Sequence, residues 1–299
     1  YCPPVDITFG DFLRGVISAD IDYVPEDVRH YRTVFIQSFR EWGIHPRGVI
    51  SMGEDALLWP SGDEVYENLR SAANRLSLED ETASKQHMKT AFLDLCSEDM
   101  DWNLGSERFK VWAAQDALRF KFWQWIREGD SYGQYYADMF GLVIDDNEAP
   151  RTVYRNKKNE PTIEIHSVRP ALRRTLTDDV RVDLVVEITQ RRRGYFDVDE
   201  QRKMDEPGKP MARDQHGDFV YRSGATILID PTSQDVRRVI RTQGTIADDR
   251  ELARVRRYLL GEAGVGDNAF DAGLPIGNRS GESSLRNEPF ALLHQQTEG

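Results

Sequence analysis

The chain has 299 residues, of which 39% are hydrophobic and 30% are charged, and its net charge is −12. This length predicts about two domains, and six Trp, eleven Tyr and thirteen Phe supply enough apolar area to exclude a globally disordered chain. No apolar run approaches the roughly 18–20 residues that a membrane-spanning helix needs.

Residues 5–44 predict two amphipathic helices joined by a turn. Thr8 is a suitable N-cap of the first helix, and Gly43 is a suitable end of the second. The apolar face predicted for the first helix contains Phe9, Phe12, Leu13, Val16 and Ile17. The face predicted for the second contains Tyr31, Val34, Phe35, Ser38, Phe39 and Trp42.

Helical periodicity continues up to the linker at residues 145–150. After a connector rich in Gly and Pro at 45–62, further helices are predicted at 63–76, 81–96, 107–128 and 131–140. The aromatic residues of 107–128 occupy more than one stripe, so this helix should be buried on two sides. The two cysteines, Cys2 and Cys96, lie too far apart in sequence to indicate a disulfide framework.

Beyond Pro150 the apolar pattern changes to the period of two that is typical of strands. Strands are predicted at 162–165, 182–188, 219–229 and 236–241, with a hairpin turn at 230–235. A helix predicted at 248–260 can cover this sheet, and the charged segment 194–217 is predicted to be a mobile loop.

These elements predict an α+β fold in which an N-terminal helical layer is followed by a small antiparallel β-sheet module with a covering helix. The predicted regions are a helical part at 1–150, the sheet with its helix at 151–260, and an irregular tail at 261–299.

The first 45 residues carry a resemblance to a known family. The stretch TFGDFLRGVISAD, followed by a loop and VFIQSFREWGI, resembles the last helices of the thermolysin-like (gluzincin) metallopeptidases. The matching positions are Thr8, Phe9, Ala19, Asp20, Phe35, Phe39, Trp42, Gly43 and Ile44. The resemblance covers about 40 of the 299 residues and implies the C-terminal part of a bacterial metallopeptidase-related protein.

The zinc motif of that family is not found in this sequence. The family binds zinc through a His-Glu-x-x-His helix, in which two His side chains one turn apart face one metal ion. The six His of this chain are His30, His45, His87, His166, His216 and His294. No two of them are four residues apart, so no catalytic, cofactor-binding or metal-binding residue is assigned here. Since no initiator Met precedes Tyr1, we expect any zinc site to lie in an upstream region.

Two polar segments of the predicted loop have alternative interpretations. The acids at 197–200 and 205–206 could bind a hard cation through carboxylate oxygens, or they could form a solvated acidic loop. His216 has Asp214 and Asp218 nearby, which could orient its imidazole, but a lone His beside a strand is also an ordinary turn residue.

Other motifs give weaker indications. The paired carboxylates Glu54–Asp55 and Asp99–Asp101 show no difference in environment that would suit acid–base catalysis. The aromatic residues at 109–125 could hold a ligand or a partner helix, or form part of the core. The stretch GEAGVG at 261–266 follows a helix instead of a strand, so it does not meet the context of a dinucleotide-binding loop.

The expected function is therefore support of a gluzincin-like protein through contact with a substrate or partner, and the alternative is a non-enzymatic α+β interaction scaffold. A peptide or protein is the expected partner.

Residues 1–150 carry 14 Lys and Arg against 27 Asp and Glu, which argues against nucleic acid as a partner. The arginine clusters lie in the middle of the chain, at 173–174, 191–193, 237–238 and 254–257. These arginines could form a weak surface for an anionic partner, which is a less favoured alternative.

Overall fold

A computed structural model describes residues 1–73, 82, 83, 85, 86, 108–128, 133–174, 180–209, 211, 212 and 214–262. These residues form helices and one four-stranded antiparallel sheet, which confirms the predicted α+β class. The helices are α1 (Phe9–Tyr23), α2 (Tyr31–Glu41), α3 (Glu54–Leu57), α4 (Gly62–Ala73), α5 (Arg108–Glu128), α6 (Gly133–Phe140), α7 (Val198–Asp205) and α8 (Asp249–Leu259). Most of the helix predicted at 81–96, including Cys96, and nearly all of the predicted tail lie outside the described residues.

The sheet has the simplest antiparallel order, in which each strand pairs with the next along the chain. Its strands are β1 (Glu164–Arg174), β2 (Val180–Gly194), β3 (Phe219–Asp230) and β4 (Asp235–Arg241). In the central row, Val186 pairs with both Val168 and Ile227, and Ile227 pairs with Val239. All four side chains are buried, so this row runs through the core from edge to edge.

Three helices of the first half cover this face of the sheet. Helix α5 packs on β1, α6 packs on β3 and β4, and α4 packs on β4. Phe122 and Ile126 of α5 join Tyr136 and Phe140 of α6 in one hydrophobic core with the sheet residues. The prediction that α5 is buried on two sides is wrong, because Phe109, Trp112 and Phe120 are exposed.

The first two helices form a smaller core of their own. Leu13 and Ile17 of α1 pack with Ile36 of α2 and with Leu57. Thr8 caps α1 as predicted, because its side chain accepts a hydrogen bond from the backbone of Asp11, whose own side chain binds the backbone of Thr8.

The prediction of which face of α2 is buried is partly wrong. Tyr31, Val34 and Trp42 are exposed, whereas Arg32 is buried. The Arg32 guanidinium donates to Asp20 Oδ2 at 2.7 Å and to Glu54 Oε2 at 2.9 Å. Arg32 therefore shares the inner side of α2 with Ile36, and Phe35 and Phe39 pack partly on the same core. Tyr31 and Val34 are left on the outside.

Hydrogen bonds connect the first half of the chain to the opposite face of the sheet and to its β4 edge. The Thr226 hydroxyl donates to the Cys2 carbonyl at 3.0 Å, and the Val239 amide donates to the Pro60 carbonyl at 2.9 Å. Trp59 packs there against buried side chains of β3 and β4. The helical part and the sheet therefore share cores across residue 150, while the division into regions at that residue stays a prediction.

The segment 194–217 is more ordered than the predicted mobile loop. It contains α7, whose N-cap Asp197 accepts a hydrogen bond from the Glu200 amide at 2.7 Å. Helix α8 lies near the same end of the sheet, where Leu252 packs with Tyr221 and Val153. This helix covers part of the sheet as predicted, and its start faces the end of α7 across a hollow.

Candidate ligand-binding site

A hollow of about 500 Å³ lies between residues 146–159, the end of α7 and the start of α8. Its charged lining side chains are three arginines and four acids, which are Arg151, Arg155, Arg192, Asp146, Glu148, Asp205 and Asp249. We call it the Arg192 hollow, after the arginine that connects its walls. Its volume lies in the range of about 300–1,000 Å³ that is typical of small-molecule sites.

Arg192 lies on β2 and is completely buried. Its Nε donates to Thr152 Oγ1 at 3.0 Å, and its Nη2 donates to Asp205 Oδ2 and to Asp249 Oδ1, each at 2.7 Å. The segment before β1 reaches this point because Val153 forms a bridge with Arg192 beside the end of β2. One guanidinium therefore holds this segment, α7 and α8 together.

The two carboxylates that bind Arg192 differ in their environments. Asp205 also accepts hydrogen bonds from the Thr152 hydroxyl and from Gln201 Nε2, so both of its oxygens are occupied. The side chain of Asp249 is 80% exposed. Its Oδ2 has no hydrogen-bond partner within the described part of the chain, and it is therefore available to a ligand.

Arg155 holds the opposite wall in a similar way. Its Nη1 donates to Asp146 Oδ1 at 2.5 Å and to the Asn159 carbonyl at 2.9 Å, and its Nη2 donates to the Ala149 carbonyl at 3.1 Å. The Asp146 side chain is 57% exposed. Each of these two arginines therefore fixes an acid at the edge of the hollow.

A second feature, a narrow crevice, lies between the N-terminal segment and α8. Its volume is about 20 Å³, which admits about one water molecule and excludes an organic ligand. Glu251 on its wall accepts hydrogen bonds from Arg47 Nη1 at 3.1 Å and from Arg254 Nε at 2.9 Å. Burial opposes the charged form of Glu251, but these arginines outweigh it and hold the pKa of the carboxyl below its usual range.

The structure separates the acids at 197–206 that were considered as a cation site. Asp199 pairs with Arg202 at 3.0 Å on the exposed side of α7, whereas Asp205 binds Arg192. Within the described residues, no group of three or more His, Cys, Asp or Glu side chains could hold a metal ion. The zinc implied by the family resemblance therefore does not fit these residues, and no step through zinc is derived from them.

The other candidates have ordinary structural roles. His216 is exposed, and Asp218 accepts a hydrogen bond from the Phe196 amide. Glu54 binds Arg32, while Asp55 is exposed. The pair Asp99–Asp101 and residues 263–266 of the glycine-containing stretch lie outside the described residues.

Arg192 was missed as a site residue, although the sequence contains a signal for it. The strand alternation that predicts Val186 and Ile188 on the core face also places Gln190 and Arg192 on that face. Gln190 follows this rule, since its side chain exchanges two hydrogen bonds of 2.8 Å with the backbone of Val143. A polar residue at a core position of a strand indicates a buried partner.

Within the described residues, none of the helices combines the length and the apolar character needed to cross a membrane. Comparison of the chain with protein-family models, with curated proteins and with solved structures gives no match.

Proposed function

We propose that this chain is the non-catalytic C-terminal part of a bacterial gluzincin-like metallopeptidase-related protein. In this role it completes the helical half of the peptidase fold and contacts a substrate or a partner. Two features support the proposal: the resemblance of residues 8–44 to the last helices of that family, and the apolar outward side of α2. The second is the observation on which the proposal mainly depends.

The outward side of α2 carries large apolar side chains that this chain leaves in solvent. Val28, just before the helix, is 80% exposed, Tyr31 is 65% exposed and Val34 is 63% exposed. Full burial of one such side chain stabilises an association by about 1.5–3 kcal/mol. Burial of these side chains under a further protein segment, such as an upstream peptidase region, would therefore stabilise the association.

The inward side of the same helix pair is already buried in contacts within this chain. Leu13, Ile17 and Ile36 fill the core between the helices, and Asp22 at the end of α1 binds Arg238 of β4. A partner of α2 would therefore meet a helix that packs on α1, which is itself bound to the sheet through Asp22. This arrangement suits a supporting role.

The reading frame immediately before Tyr1 tests the proposal. We expect it to encode a His-Glu-x-x-His helix with a further Glu downstream, and the longer polypeptide to cleave a fluorogenic peptide while residues 1–299 alone do not. An initiator Met within a few residues of Tyr1 would instead favour the alternative, a non-enzymatic interaction scaffold.

A binding measurement tests the role of the α2 surface. The upstream region and residues 1–299 are prepared as separate polypeptides and titrated by calorimetry. We expect the double variant Tyr31→Ser, Val34→Ser to weaken their association at least tenfold, since it removes two apolar contacts. Ile50→Ser is the matched control, because Ile50 is 98% exposed and lies outside α2. Equal effects of the two variants would contradict this interface.

A further inference from the structure

The charges around the Arg192 hollow are arranged by depth. Arg192 is completely buried and the Arg155 side chain is only 13% exposed. The acids Asp146 and Asp249 are mostly exposed at the edge. The positive groups therefore lie behind the negative ones, and the edge presents carboxylate oxygens to solvent.

One arginine of the hollow keeps an open donor. Arg151 uses its Nε on the Met204 carbonyl at 2.9 Å, and its Nη2 lies 3.6 Å from the Met204 sulfur. Its Nη1 has no hydrogen-bond partner among the residues that the structure describes. A Cβ added at Gly208 would lie 2.8 Å from this Nη1, so the glycine allows the guanidinium to lie close to the backbone at this point.

We infer that the Arg192 hollow binds an extended peptide segment that carries a basic side chain. Arg151 Nη1 donates to a backbone carbonyl of the peptide, and Asp249 Oδ2 accepts from its ammonium or guanidinium group. This inference rests on the proposed function, which has the chain contact a substrate or partner, and it names the class of that ligand.

A peptide fits these groups better than a simple ion does. A metal ion needs several ligands that converge on one point, and the described acids do not provide such a group. The donor Arg151 comes from the segment 146–159 and the acceptor Asp249 from the start of α8, and both line a hollow of about 500 Å³. A ligand with separated polar groups can reach both. The lining itself carries four acids against three arginines, and the exposed acids at its edge favour a basic ligand.

Calorimetric titration of the full chain tests the inference. The probe is the blocked peptide acetyl-Ala-Ala-Lys-Ala-Ala-amide, and its control carries norleucine in place of lysine. We expect saturable binding of the lysine peptide and about threefold weaker binding of the norleucine peptide, which lies within the factor of up to about five that an exposed ion pair contributes. Spermidine, a free polyamine, is a separate arm, and we expect it to bind more weakly because it has no carbonyl for Arg151.

Two variants locate the binding. Gly208→Ala places a Cβ 2.8 Å from Arg151 Nη1 and so displaces this donor. Asp249→Asn removes the charge while keeping an oxygen that can accept from Arg192. Each should weaken binding of the lysine peptide about threefold. The controls are Gly53→Ala and Glu26→Gln, at exposed positions that do not line the hollow, with melting temperature as the check on folding.

Three results would overturn the inference: no saturable binding of the lysine peptide, equal binding of the two peptides, or equal effects of the variants and their controls. Spermidine binding as tight as that of the lysine peptide would also overturn it, because the ligand would then be recognised by charge alone. None of these results bears on peptidase activity of a longer polypeptide, so the proposed function would stand or fall separately.

Discussion

Arg192 and Asp205 form an ion pair in which Nη2 of the buried arginine lies 2.7 Å from Oδ2 of the partly buried acid. The arginine comes from β2 and the acid from the end of α7, and the acid is further held by Thr152 and Gln201. Because all the surrounding groups are hydrogen-bonded, the pair links a strand, a helix and the segment before β1 without leaving Asp205 uncompensated.

Removal of the arginine should therefore destabilise the fold strongly. Arg192→Leu leaves the partly buried Asp205 without its counter-ion. Breaking a fully buried pair costs about 3–5 kcal/mol, so we expect a loss of about 2–4 kcal/mol here. The free energy of unfolding from urea titration measures the effect. The double variant Arg192→Leu, Asp205→Leu removes both charges and should recover part of the loss. A single variant that costs less than about 1 kcal/mol would show that the pair is not a structural link.

A second prediction concerns the dependence of stability on pH. The pKa of Glu251 is held below its usual range by Arg47 and Arg254, so the folded state binds this proton less readily than the unfolded state does. Its contribution is present above the unfolded pKa, which is about 4.3, and is lost as the pH falls through the folded value. We expect Glu251→Gln to be less stable than the wild type at pH 7 and to lose less stability on acidification.

Melting temperatures measured between pH 7 and pH 3 test this sign. The matched control is Glu26→Gln, because Glu26 is exposed and should leave the curve unchanged. Parallel curves for the wild type and Glu251→Gln would mean that Arg47 and Arg254 do not favour the charged carboxylate.

Hydrophobic periodicity predicted four antiparallel strands in their order, but it placed the first at 162–165, whereas β1 spans Glu164–Arg174. It also missed the orientation of α2. The alternation around Val186 predicted this strand and its inward face, but the predicted strand ended at residue 188. Continued to residue 192, the same alternation places Arg192 inward, as the structure does. On α2 the same reasoning failed, because Arg32 gains two carboxylate partners, Asp20 and Glu54, that are distant in sequence. The spacing of apolar residues alone cannot reveal an ion pair on the inner side of a helix, although such a pair can decide which side of the helix faces inward.

The Arg192 hollow depends on contacts that no local pattern contains. Its walls come from residues 146–159, from α7 and from α8, and α7 lies in a charged segment that was predicted to be a loop. The helix signal was present, since Asp197 is a suitable N-cap and acids follow it in the first turn. The high charge and nearby Gly and Pro of the segment masked that signal.

A third prediction concerns metal. The sequence has no pair of His spaced to meet one zinc ion, and the described residues bring no set of ligands together. We therefore expect that a chelator leaves the melting temperature of residues 1–299 unchanged. Differential scanning calorimetry with and without EDTA tests this, with zinc analysis of the purified chain as the control. A drop of several degrees would reveal a metal site that supports the fold.

The last prediction concerns the division of the chain at residue 150. The central row of the sheet, with Val186, Ile227 and Val239, is covered by helices that precede this residue. Without them the apolar face of the sheet would be exposed to water, which favours a partly folded or aggregating state. We expect residues 151–299 alone to lack a cooperative thermal transition and to show poorly dispersed amide NMR signals, while residues 1–299 unfold in one step. A cooperative transition of the isolated segment would establish it as an independent domain and would limit the role of the helices to packing against a preformed sheet.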